Sequence, residues 1–166
     1  TKHLLSQGHR RIGLINKPNA FFNYCTEDML LNGYKVALTE TGVAVDPVLM
    51  VEGDYTVEGG YQAFMNIWQN SSVKPTAVIC ASDPMAYGAI RAIEDLGFIA
   101  GKDIDVVAGD NLPLTRKLYP YLSALTNPSY EQGRQAGKML LSIINEKKDF
   151  AGITLNMEFV IRNSNS

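Results

Sequence analysis

The chain has 166 residues, 46% of them apolar and 19% charged, with a formal net charge of −2. That size and balance predict one globular domain with its own core, and exclude a disordered tail or a small disulfide scaffold. With no dense Lys/Arg tract, the chain by itself is a poor match for a phosphate backbone.

No apolar run reaches the roughly 18–20 residues that a bilayer span needs, so no membrane partner is expected. The two cysteines, Cys25 and Cys80, lie far apart without a CxxC, and His3 and His9 are the only histidines. The cysteines read as free thiols in a reducing compartment, and no metal and no cofactor is expected.

In chain order, Thr1 to Gly8 reads as the last turns of a helix, with Gly8 as its stop. With no initiator Met, this opening is expected to belong to a longer protein. Arg11–Ile15 reads as a short strand, closed by Asn16-Lys17-Pro18-Asn19. A helix over Cys25–Thr41 follows, with Met29, Leu30, Tyr34, Ala37 and Leu38 at helical spacing and Gly42 at its end. Val48–Val51 is the next expected strand, and Thr56 caps a helix over Val57–Asn70. Ala77–Ala81 is the clearest strand. Ser82-Asp83-Pro84 then opens a helix to Leu96 that Gly97 stops, and Ile104–Ala108 is a further strand.

Strand and helix alternating at this spacing predict α/β architecture, a three-layer α/β/α sandwich with a mainly parallel sheet. In such sheets ligands bind outside the carboxyl ends of the strands. The loops expected along that edge are Asn16–Asn23, Glu52–Thr56, Ser82–Pro84 and Gly109–Pro113. They carry Asn16, Asn19, Asn23, Asp54, Tyr55, Ser82, Asp83, Asp110 and Asn111, a mixture of amides, carboxylates and one aromatic. Sugar recognition uses that mixture, because hydroxyls pair with Asp and Asn while an aromatic covers the apolar ring face. The same residue types also favour turns and helix starts, so Ser82 and Asp83 suit capping as well as ligand contact.

Enzyme motifs are missing: the chain has no GxSxG elbow, no GxxxxGK[ST] loop and no GxGxxG after a strand. Asp54, Asp83 and Asp110 could supply a carboxylate pair for acid–base work only if the fold brings two of them together. A non-enzymatic binding module is the favoured expectation. Beyond Gly109 the alternation is expected to stop, since Pro113, Pro120 and Pro128 punctuate the segment. An amphipathic helix over Tyr130–Asn145 follows, then strand-like Ile153–Leu155 and Met157–Ile161, split at Asn156. Such a run suits a chain that leaves one lobe and returns to it.

Six segments, in order, resemble the effector-binding core of the lactose/galactose repressor family, a fold of the type I periplasmic-binding-protein kind. They are HLLSQGHRRIGLI (His3–Ile15), GYKVALTETGVAVDP (Gly33–Pro47), EGDYTVEGGYQA (Glu52–Ala63), PTAVICASDPMAYGAIRAIEDLG (Pro75–Gly97), GKDIDVVAGD (Gly101–Asp110) and GRQAGKMLLSII (Gly133–Ile144). The close, EFVIRNS (Glu158–Ser164), resembles the family's usual ending.

The resemblance implies that residues 1–128 form the C-terminal lobe of a sugar-sensing core. Residues 129–155 would belong to the N-terminal lobe, and residues 156–166 would return to the first. It implies a small-molecule effector, a sugar, held between the lobes, and operator DNA contacted through a separate N-terminal domain. It also implies a homodimer in the cytoplasm, with Tyr87 and Leu112 on the dimer surface. Effector contacts implied by position are Tyr55 over the ring, Ser82, Asp83, Asp110 and Asn127, with Asp83 also suited to holding a loop. Two positions depart from the family pattern: Leu30 stands where an arginine is common, and Gly109-Asp110-Asn111 replaces an aromatic followed by two acids. A periplasmic sugar-binding protein of a transporter is the alternative with the same fold.

Overall fold

The computed structural model describes residues 1–17, 29–119, 122–146 and 152–162. Six helices, α1 (Lys2–Ser6), α2 (Met29–Glu40), α3 (Val57–Asn70), α4 (Asp83–Asp95), α5 (Pro113–Leu118) and α6 (Ser129–Glu146), are described. They alternate with β1 (Ile12–Asn16), β2 (Met50–Glu52), β3 (Ala77–Cys80), β4 (Asp105–Ala108), β5 (Ser123–Thr126) and β6 (Glu158–Val160). The sheet runs β2-β1-β3-β4-β5-β6, parallel throughout except that β6 runs antiparallel to β5.

The strands read as continuous apolar runs because both faces are covered. On one face Ile15, Val78, Cys80, Val106 and Ala108 meet Phe64 and Ile67 of α3 and Met85, Ala89 and Ile93 of α4. On the other, Ile12, Leu14, Ala77, Ile79 and Val107 meet Leu4 and Leu5 of α1 and Tyr34, Ala37 and Leu38 of α2. The Tyr34 hydroxyl, buried among them, donates to the carbonyl oxygen of Ile12 at 2.7 Å. The α/β/α layering expected from the alternation is therefore present. Cys80 is free and buried, and burial pushes its thiol up, away from the reactive thiolate. Cys25 lies outside the described residues, as do Asn19, Asn23 and the expected start of α2.

Three elements differ from the sequence expectation. Residues 48 and 49 belong to a short 3-10 turn, Pro47–Leu49, and the strand begins only at Met50. The cause is local: the Asp46 side chain accepts from the Val48 N–H, and Pro47 presets the helical φ. The alternation also continues past Gly109, through α5 and the parallel β5. Pro113 sits in the first turn of α5, where its missing N–H costs nothing, and Pro128 lies beyond the end of β5. Pro113 and Pro128 mark element boundaries, and Pro120 lies outside the described residues. Finally, Ile153–Leu155 is not a strand; the strand here is confined to Glu158–Val160, where β5 supplies a partner.

Helices α3 and α4 approach backbone to backbone. A Cβ on Gly88 would land on the carbonyl oxygen of Val57, and one on Gly60 would land on the backbone of Met85. Neither contact ends in a flexible side chain, so the helices themselves would have to separate. Gly88→Ala should therefore destabilise the fold by roughly 1–3 kcal/mol. Urea unfolding is the check, and an unchanged midpoint would contradict the close approach.

Candidate functional site

The carboxyl ends of the parallel strands bring the expected loops to one edge. Across it, in sheet order, come Tyr55 after β2, Asn16 at the end of β1, Ser82 after β3, Asp110 after β4 and Asn127 after β5. Four strand steps at about 4.8 Å make this row roughly 19 Å long. A small ligand touching all of it must lie across the row, with side chains reaching inward.

At the β2 end, Asp54 closes a tight turn. Its Oδ1 accepts from the Thr56 N–H at 2.9 Å and the Thr56 hydroxyl at 2.6 Å, while Thr56 Oγ1 accepts from the Gly59 N–H at 2.9 Å and caps α3. Those bonds hold the Asp54 carboxyl below its usual range. Tyr55 sits at the tip in the left-handed region, φ +67, and the residue is 37% exposed. A non-glycine there is uncommon and costs on the order of 1 kcal/mol or more. The turn thus carries a partly exposed aromatic residue at its tip against a conformational cost.

In the middle of the row, Ser82 is the N-cap of α4, its Oγ accepting from the Met85 N–H at 3.5 Å, and Asp83 follows in the first turn. Asp83 is 0% exposed. Its Oδ1 accepts from the backbone N–H of Asp110 at 2.8 Å and of Asn111 at 3.1 Å. Its Oδ2 accepts from the Leu112 N–H at 2.7 Å and from the Thr115 hydroxyl. The structure thus places Asp83 as the anchor of the loop between β4 and α5, with both carboxylate oxygens facing inward. In return, the Asp83 N–H donates to Asp110 Oδ2 at 3.2 Å. Asp110 stays partly exposed, and its carboxyl lies above the ordinary value of 3.8, first through burial and then through the nearby Asp83.

Of the three carboxylates raised as an acid–base pair, only Asp83 and Asp110 meet, through backbone amides, and Asp54 lies two or more strands away. Asn127 is exposed at the β5 end, where its carbonyl oxygen accepts from the Ser129 N–H at 2.8 Å as α6 begins. Leu30, at the start of α2, packs against the core layer of α1 and α2. Gly109 suits its place because a Cβ there would collide with the carbonyl of Ala81.

Two buried residues complete the loop: Asn111, which the sequence offered only as one of several edge-loop amides, and Thr115, which it did not single out. Asn111, φ +56 and 5% exposed, donates from Nδ2 to Thr126 Oγ1 at 2.7 Å and accepts at Oδ1 from Arg162 Nη2 at 2.6 Å. Thr115, fully buried, joins the Asp83 carboxylate to the Tyr87 hydroxyl at 2.5 Å. Their sequence signal is faint, since an Asn in a loop and a Thr in a six-residue helix have many ordinary reasons to be there.

A cavity of about 420 Å³ lies elsewhere, between α1, α2 and the sheet, lined by Leu4, Tyr34, Val107, Leu125 and Phe159 among others. Its apolar walls do not suit a polyhydroxyl ligand, whereas the edge row does. Among the described residues, no group of three His, Cys, Asp or Glu side chains could hold a metal ion. No described helix is long and apolar enough to cross a membrane.

Comparison with known proteins agrees with this fold. The periplasmic binding protein-like domain family matches residues 1–165. The ribose operon repressor of Haemophilus influenzae is 35% identical over 165 residues, an alignment covering 99% of this chain and 48% of that protein. The chain therefore spans about half the length of the curated relatives it matches. A LacI-family regulatory protein from Chloroflexus aggregans superposes with a TM-score of 0.86 at 26% identity, covering 99% of this chain and 58% of that one. A LacI-family regulator from Enterococcus faecium, solved with bound ribose, gives 0.83 at 26% identity, covering 99% and 60%. The chain belongs to the periplasmic binding protein-like domain family, in the form that LacI-type regulators carry.

Proposed function

We propose that this chain is the sugar-sensing part of a LacI-type transcription regulator, with the effector held against the carboxyl edge of the sheet. The observation that carries the reading is the polar row itself, with an exposed aromatic residue at Tyr55 and a partly exposed carboxylate at Asp110. Tyr55 would cover a ring face, while Asp110, Ser82 and Asn127 take hydroxyls. Asp83 would act by anchoring the Asp110 loop, since its oxygens are already occupied. Similarity to a repressor of a ribose operon, and to a regulator solved with ribose, supports a sugar over other ligand classes.

Residues 129–155 would pack against a second lobe. None of the described side chains of α6 is buried, and Leu140, Leu141, Ile143 and Ile144 stand exposed. Closure of two lobes on the effector would change the parent protein's affinity for operator DNA, provided the effector binds one arrangement better than the other. The reading implies a binding protein with no turnover of its own, acting in the cytoplasm where the operator is. Titration calorimetry of the full-length protein with ribose, glucose, cellobiose and a nucleobase is the test. Binding of a sugar supports the reading, and binding of the nucleobase alone overturns its sugar part.

Asp110 gives this reading a pH signature. An ionised carboxylate is the better acceptor for sugar hydroxyls, and its raised pKa means that protonation begins at higher pH than for an ordinary aspartate. Affinity should therefore fall on acidification from a higher pH than an ordinary aspartate would give. Asp110→Asn should weaken binding roughly 10- to 100-fold near neutral pH and flatten that decline. An unchanged pH profile in the variant would remove Asp110 from the site.

We also propose that the parent protein dimerises through the surface of α4 and α5. Tyr87 stacks on Tyr119 at 5.2 Å between ring centroids, beside the exposed Leu112, Leu114 and Leu118. Several exposed apolar side chains on one short element favour association. Leu112→Glu should shift the full-length protein toward monomer in sedimentation velocity, and an unchanged dimer would exclude this surface.

A further inference from the structure

The loop carrying Asp110 is held from its far side by a group that no part of the proposed effector reading uses. Asn111 follows Asp110, and Thr126 immediately precedes Asn127. The 2.7 Å bond from Asn111 Nδ2 to Thr126 Oγ1 therefore ties together the two backbone segments that present Asp110 and Asn127. Asn111 can do this only in one orientation of its amide. Arg162 supplies the orientation, because a guanidinium only donates and so obliges the amide oxygen to face it, at 2.6 Å.

Arg162 is itself fixed just beyond β6. Its Nη1 donates to the carbonyl oxygen of Leu122 at 2.7 Å. Its backbone N–H donates to Ser123 Oγ, and Ser123 Oγ is equally 3.0 Å from the Arg162 carbonyl oxygen. Asn111 is 5% exposed and holds φ +56, a conformation asparagine tolerates better than most residues. The backbone and the side chain of this residue are thus both constrained.

We propose that Arg162 and Asn111 form a clasp that sets the spacing between Asp110 and Asn127 and links it to the returning strand β6. Arg162 is a positioning residue here: it reaches the ligand-facing loop only through Asn111. The proposal rests on the effector reading for its functional consequence but not for its geometry. A movement of β6, where the chain comes back from residues 129–155, would pass through Arg162 and Asn111 to the effector loop.

Hydrogen exchange on the full-length protein tests the clasp without a ligand. Arg162→Met and Asn111→Gly each remove one side of it, and glycine suits the φ at position 111. Both should speed exchange at the amides of Asp110, Asn111, Leu112 and Ser129 by roughly tenfold or more, while α3 amides keep wild-type rates. Asn111→Asp should restore protection, because a carboxylate accepts from Arg162 and from the Thr126 hydroxyl, with the hydroxyl reversed as donor. Unchanged exchange at Asp110–Leu112 in either disrupting variant overturns the proposal, as does Asn111→Asp behaving like Asn111→Gly. Equal acceleration throughout α3 in Asn111→Gly also overturns it, since that marks general destabilisation; Asn111→Gly decides the matter if Arg162→Met unfolds.

A ribose, glucose and cellobiose titration is run in parallel. If wild type binds one of them, Arg162→Met should raise its Kd roughly tenfold, and an unchanged Kd would deny the clasp a role in binding. If wild type binds none, the sugar reading fails while the exchange result still decides the clasp.

Discussion

Everything at the sheet edge depends on one buried carboxylate. Asp83 lies at the start of α4 with no exposure, and an acid taken out of water in this way is tolerated only with a full set of donors. Three successive backbone amides from the loop after β4, and the hydroxyl of Thr115 in α5, provide them. The amino terminus of α4 adds a favourable field for negative charge. The loop that satisfies Asp83 therefore has little freedom of path. Asn111 is held in the left-handed region, Asp110 is turned to the rim, and α5 begins where Thr115 can reach inward.

That anchoring makes the middle of the row rigid, and the rigidity extends through the helices behind it. Ser82 and Asp83 begin the helix that touches α3 at Gly60 and Gly88, and α3 in turn is capped by Thr56 beside Tyr55. Tyr55, Ser82 and Asp110 are thus mounted on elements that cannot shift independently without breaking backbone contacts. A site built on such elements keeps its geometry while the partners that close over it move. In the proposed two-lobe sensor, the moving parts would then be the crossing segments. Asn127 and β6 stand where those segments meet the sheet, and Asn111 with Arg162 spans between them.

Much of the site row was legible from strand–helix alternation, because a parallel sheet sends every strand's carboxyl end to the same edge. Tyr55, Ser82 and Asp110 are found there; Asn127, named only through the family resemblance, joins them because the alternation continues through β5. The role of Asp83 was not decidable, since an acid ahead of a helix serves equally as a cap, a loop anchor or a ligand contact. Only its burial and its four donors separate these uses. The bond between Asn111 and Arg162 escaped notice for a related reason. They lie 51 residues apart, and their bond exists because β6 returns antiparallel beside β5.

The amino-acid sequence alone determined the layers and most element boundaries. Periodic apolar runs, capping residues and stop glycines act over a few neighbouring residues and need no tertiary context. It misplaced the start of β2, overlooked α5 and β5, and assigned a strand to Ile153–Leu155. In each case a short segment depends on a partner distant in sequence or on a single side-chain cap. Tertiary structure decided which polar groups at the edge face solvent and which are consumed in holding the loop, because burial and hydrogen-bond partners arise only when strands far apart in the chain are laid side by side.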